Sequence, residues 1–171
     1  NPVIGDRSFG EDRKNVTAKA FQYIRGLQDH GIMACAKHFP GHGDTDVDSH
    51  KDLPIIRHSL QRLDSIELYP FKNLSQHGVQ SVMVAHLHIP AIDATPNLPV
   101  TLSKPAVTDL LQKKLGYQGL IFTDALNMKG VTKHFKDGET DVRALIAGND
   151  VLLVPQDIPT AKKRIYQAID S

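Results

Sequence analysis

Histidines and acids gather at a few places in this chain. Lys37-His38-Phe39-Pro40-Gly41-His42-Gly43-Asp44-Thr45 is followed closely by Asp48-Ser49-His50, His86 and His88 stand two apart, and Asp124 follows a short apolar run. An imidazole gives and takes protons near neutral pH. A carboxylate serves as base, nucleophile or ligand. Asp48 and His50 are near enough in sequence for an imidazole–carboxylate contact, which would fix the ring tautomer and favour the protonated ring. The same histidines and acids are also of the type that holds zinc. Each group has a plainer reading beside the chemical one. Lys37 and His38 fit a solvated strand end, and His42 fits a hydrogen-bonding role inside its loop. Gly41 and Gly43 fit turns that need positive φ, without the spacing of a phosphate loop. Asp124 fits a helix N-cap ahead of 125–129, and His58 and His134 read as surface residues.

The elements that must position these groups follow from periodicity. Val16, Ala20, Ile24 and Leu27 recur at helical steps and predict a helix over 11–30, closed by Gly31 as a left-handed cap. The apolar run 32–36 predicts a buried parallel strand that would bury the Cys35 thiol, with a long polar loop over 39–57. Ser59 starts a second helical region with Leu60, Leu63 and Ile66 inward; Pro70 breaks or restarts it, and Gly78 closes it. A second strand covers 79–85. Ser103 caps a third helix that has Pro105 in its first turn and Gly116 at its stop. A third strand covers 120–123. Val142, Leu145 and Ile146 mark a short helix ended by Gly148, a fourth strand covers 151–154, and a last helix covers 159–169.

Helices alternate with strands that are apolar on both faces, so the expected class is α/β, a parallel sheet with helices outside it. Such sheets bind ligands at the carboxyl ends of their strands. Lys37 and His38, His86 and His88, and Asp124 follow three different strands and would share that rim. A closed barrel of eight units takes about 250 residues. Four to five units in 171 residues make either part of a barrel or a smaller open sheet, in a single domain over 1–171.

Composition narrows the function classes. Twenty basic and 19 acidic residues leave a net charge of +1, which argues against nucleic acid or a charged membrane surface as partner. A hydrophobic share of 40% supports a core without a disulfide or metal staple, and the single cysteine excludes an internal disulfide. No apolar run is long enough to span a membrane. The chain starts at Asn1 without an initiator methionine, so an N-terminal segment is expected to precede it and the compartment stays open between cytoplasm and periplasm.

Taken together, the motifs closely resemble those of the family 3 glycoside hydrolases, within them the bacterial β-N-acetylglucosaminidases that trim cell-wall sugars. The resemblance is carried by Lys37-His38-Phe39-Pro40-Gly41-His42-Gly43 with Asp48-Ser49-His50, by Phe122-Thr123-Asp124 followed by Met128, and by Asn1-Pro2 through Gly5 with Arg7-Ser8-Phe9-Gly10. It runs nearly end to end. It implies a TIM-type (β/α) barrel, of which this chain would be an incomplete, C-terminal portion that needs a missing N-terminal barrel segment. It implies a saccharide substrate, no metal and no other cofactor, and leaves the oligomeric state open. By the same resemblance Asp124 is the nucleophile, His50 the acid/base with Asp48 as its partner, and Arg7, Lys37 and His38 grip sugar hydroxyls. His42 carries over as a loop-former; under the same reading His86 and His88 support the site or pack near it.

The residues suit that chemistry. Glycosidic cleavage needs a proton on the leaving oxygen and stabilised charge at the anomeric carbon. The three glutamates, Glu11, Glu67 and Glu139, follow no expected strand, which fits a histidine acid. Three other readings stand beside hydrolysis: a phosphorylase in which inorganic phosphate replaces water, a metal-dependent hydrolase built on the histidines, and an inactive or weakly sugar-binding fragment.

Overall fold

Asp12 opens the first helix by accepting the Asn15 N–H on its side chain at 2.8 Å, so α1 runs over Arg13–Gln28, slightly inside the expected span. The computed structural model describes residues 4–45 and 53–170; Asp48 and His50 lie outside the described residues. Gly31 takes φ +76 and the Ile32 N–H returns to the Leu27 carbonyl, the left-handed closure expected there.

Strand β1 covers Cys35–Phe39, three residues later than the apolar run 32–36 suggests. Ile32 and Met33 are exposed, and so is Cys35, which corrects the expectation of a buried thiol. Lys37 and His38 therefore belong to the strand and do not merely follow it. Strand β2 covers Ser81–Val84 and β3 covers Leu120–Thr123. All three pair in parallel in the order β1-β2-β3. The β1–β2 register shifts between Lys37 and Phe39, and the Lys37–His38 and Phe39–Pro40 peptide bonds are cis.

The expected fourth strand is reduced to one parallel bridge, Phe122 to Val151. The Thr123 hydroxyl, in place of a main-chain carbonyl, accepts the Leu153 N–H at 2.9 Å. Val154 then takes φ +46, a turn away from strand geometry that a β-branched residue adopts only when its surroundings impose it.

The helices pack outside the sheet. Ser59 caps α2, Leu60–Ser65, and α3 follows over Leu68–Gln76 with Pro70 in its first turn, where a missing N–H is harmless. The break falls at Ile66, ahead of the proline, and the Arg62–Glu67 ion pair at 2.7 Å spans it. Leu63 is fully buried, whereas Leu60 and Ile66 are exposed, so only one of the three expected inward residues faces the core. The Pro105–Lys114 helix is wound wider than an α-helix, with the Leu115 N–H bonded to the Leu110 carbonyl five residues back. Periodicity did not signal that winding. The Glu139–Ala147 helix buries Thr140, Asp141, Ala144 and Ala147, and Ile146 is exposed. Its inner face is thus the small-residue side, one step away from the expected apolar triplet, because only small side chains allow close approach to the helix at Thr108, whose hydroxyl donates to the Ala147 carbonyl. The Ile158–Ile169 helix ends the fold.

The core lies between sheet and helices. Phe39, Val82, Val84, Ile121, Leu63 and Leu111 are essentially inaccessible. Phe39 meets the Phe71 ring edge-on at a centroid distance of 5.3 Å, tying the end of β1 to α3. Phe39→Ala is expected to cost about 3–5 kcal/mol through lost contacts and a residual cavity. Urea denaturation of the two proteins measures it.

Candidate functional site

The parallel register puts the carboxyl ends of β1, β2 and β3 at one rim. Strands 1 and 3 are not neighbours; with β2 between them they are separated by about 10 Å. Their end residues nevertheless meet. His38 Nε2 lies 3.9 Å from Asp124 Oδ2, and both side chains are mostly buried. That spacing exceeds a hydrogen bond, so the two groups face each other without being locked together. The other carboxylate oxygen, Oδ1, accepts the Ala125 N–H at 2.9 Å. The Asp124 N–H itself donates to the Val84 carbonyl, which extends the β2–β3 pairing to the residue that bears the carboxylate.

Asp124 is not a helix N-cap. The next helix begins at Lys129, after Met128, and the carboxylate turns back onto the neighbouring amide. The sequence-level cap alternative is thereby removed.

His38 sits in a field of charges. Burial is the main influence on its ring and disfavours the imidazolium; Asp124 opposes this, while Lys37, His42 and Arg7 add to it, and the pKa falls to about 4. At neutral pH the ring is neutral, with one N–H to offer. The same interactions put Arg7, Lys37, His42 and Asp124 within electrostatic reach of one imidazole, which draws together four of the six residues picked out from sequence for catalysis or sugar binding: Arg7, Lys37, His38 and Asp124. The other two, Asp48 and His50, lie outside the described residues.

The loop after β1 is built from its own side chains. His42 packs its ring 5.9 Å from that of His38, and its Nδ1 lies 2.9 Å from the Thr45 hydroxyl, both residues being buried. This matches its reading as a loop-former. Gly41 takes φ +138, and a Cβ there would fall 2.8 Å from Glu67 Cβ, so glycine lets the loop rest against the α2–α3 junction. Asp44 pairs with His58 at 2.5 Å, which gives His58 a partner that its surface reading did not foresee. Beyond the segment 46–52, the chain returns through Ile55, bridged in parallel to His88, with the Ile56 N–H on the His88 carbonyl and the His88 N–H on the Pro54 carbonyl. Both described ends of the loop are thus fastened near the carboxyl ends of β1 and β2.

His86 and His88 point to different partners. His88 Nδ1 donates to the Leu98 carbonyl at 3.2 Å. His86, wholly buried, has Nδ1 2.9 Å from the Thr101 hydroxyl and Nε2 2.9 Å from the Ala125 carbonyl. Among the described residues, no three His, Cys, Asp or Glu side chains converge on a common point. Sequence reading missed Thr101 and the main chain of Ala125, since a threonine in an apolar run and an alanine carry no chemical signal. A surface groove lined by Glu11, Asp12, Arg13, Ser65 and Ile66 includes none of the candidate side chains.

Comparison with known proteins identifies the family. The family described as "Glycosyl hydrolase family 3 N terminal domain" matches residues 1–171. Beta-hexosaminidase A of Pseudoalteromonas piscicida is 36% identical over 91% of this chain and 28% of its own length. The Beta-hexosaminidase of Chromobacterium violaceum is 39% identical over 89% of this chain and 42% of its own. The structure of a glycoside hydrolase family 3 beta-N-acetylglucosaminidase from Paenibacillus sp. superposes with a TM-score of 0.95 at 42% identity, covering 99% of this chain and 33% of that one. The chain thus spans less than half the length of these relatives.

The depressed His38 pKa has a thermodynamic consequence. The unfolded chain takes up a proton on this ring below about pH 6.5, whereas the folded chain does so only near 4. Its contribution to stability is therefore complete above pH 6.5, declines as pH falls through that window, and levels off below 4. Proton NMR titration of the His38 ring is expected to give a midpoint near 4.

Proposed function

We propose, from the premise that this chain belongs to glycosyl hydrolase family 3, that it carries the catalytic rim of a retaining β-N-acetylhexosaminidase that releases terminal N-acetylglucosamine through a covalent glycosyl-aspartate. The observation that carries the reading is the Asp124 carboxylate at the tip of β3, with Oδ1 held by a main-chain amide and Oδ2 turned toward His38. The names of the relatives, beta-hexosaminidases and a beta-N-acetylglucosaminidase, supply the substrate class.

Asp124 Oδ2 attacks the anomeric carbon while the bond to the leaving oxygen breaks. His50, with Asp48 assigned as its partner, gives that oxygen its proton. Water then loses a proton to His50 and displaces Asp124, and two inversions retain the configuration. Neutral His38 suits this role better than an imidazolium. A cation 3.9 Å from the carboxylate would lower its reactivity toward carbon, whereas a neutral N–H can donate to a sugar hydroxyl. Lys37 and Arg7 are assigned to the remaining hydroxyls.

The test uses this chain and a form lengthened to the span of the relatives. Asp124→Ala is expected to abolish turnover of chromogenic N-acetylglucosaminides. His50→Ala is expected to spare the first step for acidic leaving groups, which depart without a proton, and to slow it for poor ones by about 10²–10⁴-fold. Equal slowing of both classes would remove His50 from the acid role. A fluorinated slow substrate followed by peptide mapping should label Asp124, and a label elsewhere would overturn the reading. Formation of sugar 1-phosphate when inorganic phosphate is added would instead identify a phosphorylase.

A further inference from the structure

We infer that His86 is a positioning residue for the Asp124 carboxylate and acts through the main chain of Ala125. This deepens the proposed function and rests on Asp124 being the nucleophile. His86 directly follows Ala85 at the end of β2, between the strands that carry His38 and Asp124. Its ring is fully buried and held at both nitrogens. A carbonyl only accepts, so the proton on Nε2 points at Ala125 O, 2.9 Å away. On the other side stands the Thr101 hydroxyl, itself fixed 2.5 Å from the Ala85 carbonyl, so the ring cannot turn without losing a contact.

Ala125 links this ring to the carboxylate. Its carbonyl is held by His86, the next N–H, on Leu126, donates to the Leu153 carbonyl, and its own N–H donates to Asp124 Oδ1. Residue 125 is therefore clamped at both of its peptide groups. Removing the imidazole leaves a buried carbonyl without that donor. The 125–126 peptide is then free to turn toward another donor, and the preceding amide moves with it. The Oδ1 hydrogen bond sets the angle of the carboxylate, so loss of the clamp misaims Oδ2.

The test compares His86→Gln, whose amide N–H can reach the position of Nε2, with His86→Asn, which is one methylene too short, and with His86→Leu. All are made in the protein lengthened to the span of the relatives, with folding checked by circular dichroism and thermal melting. In His86→Leu, kcat for a chromogenic N-acetylglucosaminide is expected to fall about 10- to 100-fold with KM nearly unchanged. His86→Gln should recover most of the loss and His86→Asn should not. If His86→Leu does not fold, the Gln and Asn pair decides alone. Equal activity of Gln and Asn variants, or an unchanged kcat in a folded Leu variant, overturns the inference. Wild-type turnover tests the function reading separately. Exchange of the Ala125 amide, faster in the Asn variant than in the Gln variant, supports the clamp even without turnover, and equal exchange overturns it.

Discussion

Everything in the candidate site depends on parallel pairing that brings two strands to a common height on either side of a third. β1 and β3 do not touch, yet the residues at their carboxyl ends approach within 3.9 Å. This works only because Ser81, Val82 and Met83 pair in step with both neighbours. A slip of one residue on either side would turn the end side chain to the opposite face. The bulk of the buried core, from Phe39 on β1 through Val82 and Val84 to Ile121 on β3, enforces that register. Packing thus fixes the geometry, and the polar groups sit on it.

The fold class was legible because the apolar strands and amphipathic helices alternate in an unambiguous order. β3 was readable to the residue. β1 was not, since Ile32 and Met33 look like strand interior but lie exposed at the entrance, while the polar Lys37 takes a ladder position and His38 falls at the register shift beside it. Hydrophobicity could not have revealed that, because the strand end is shaped by what it must present. The fourth strand was over-read for a related reason: a threonine hydroxyl can replace a ladder carbonyl, and residue type does not distinguish the two.

Of the candidate site, residue types at strand ends made the grouping legible: Arg7, Lys37, His38 and Asp124 share one electrostatic neighbourhood. What the types could not convey was the state of His38. As a free side chain it would titrate near neutrality, but burial among Lys37, His42 and Arg7 keeps it uncharged. The Lys37–Gly43 string therefore brings the His38 imidazole to the rim and buries it there, and that burial, more than the nearby charges, keeps the ring neutral.

The partner of Asp124 Oδ1 belongs to the main chain. Every amino acid except proline carries that N–H, so mutation of residue 125 to almost anything leaves the donor in place. Natural variation there would look unconstrained by chemistry and limited only by space. A group of this kind escapes alanine scanning altogether, and its contribution emerges only when the residues that grip the backbone from behind are changed.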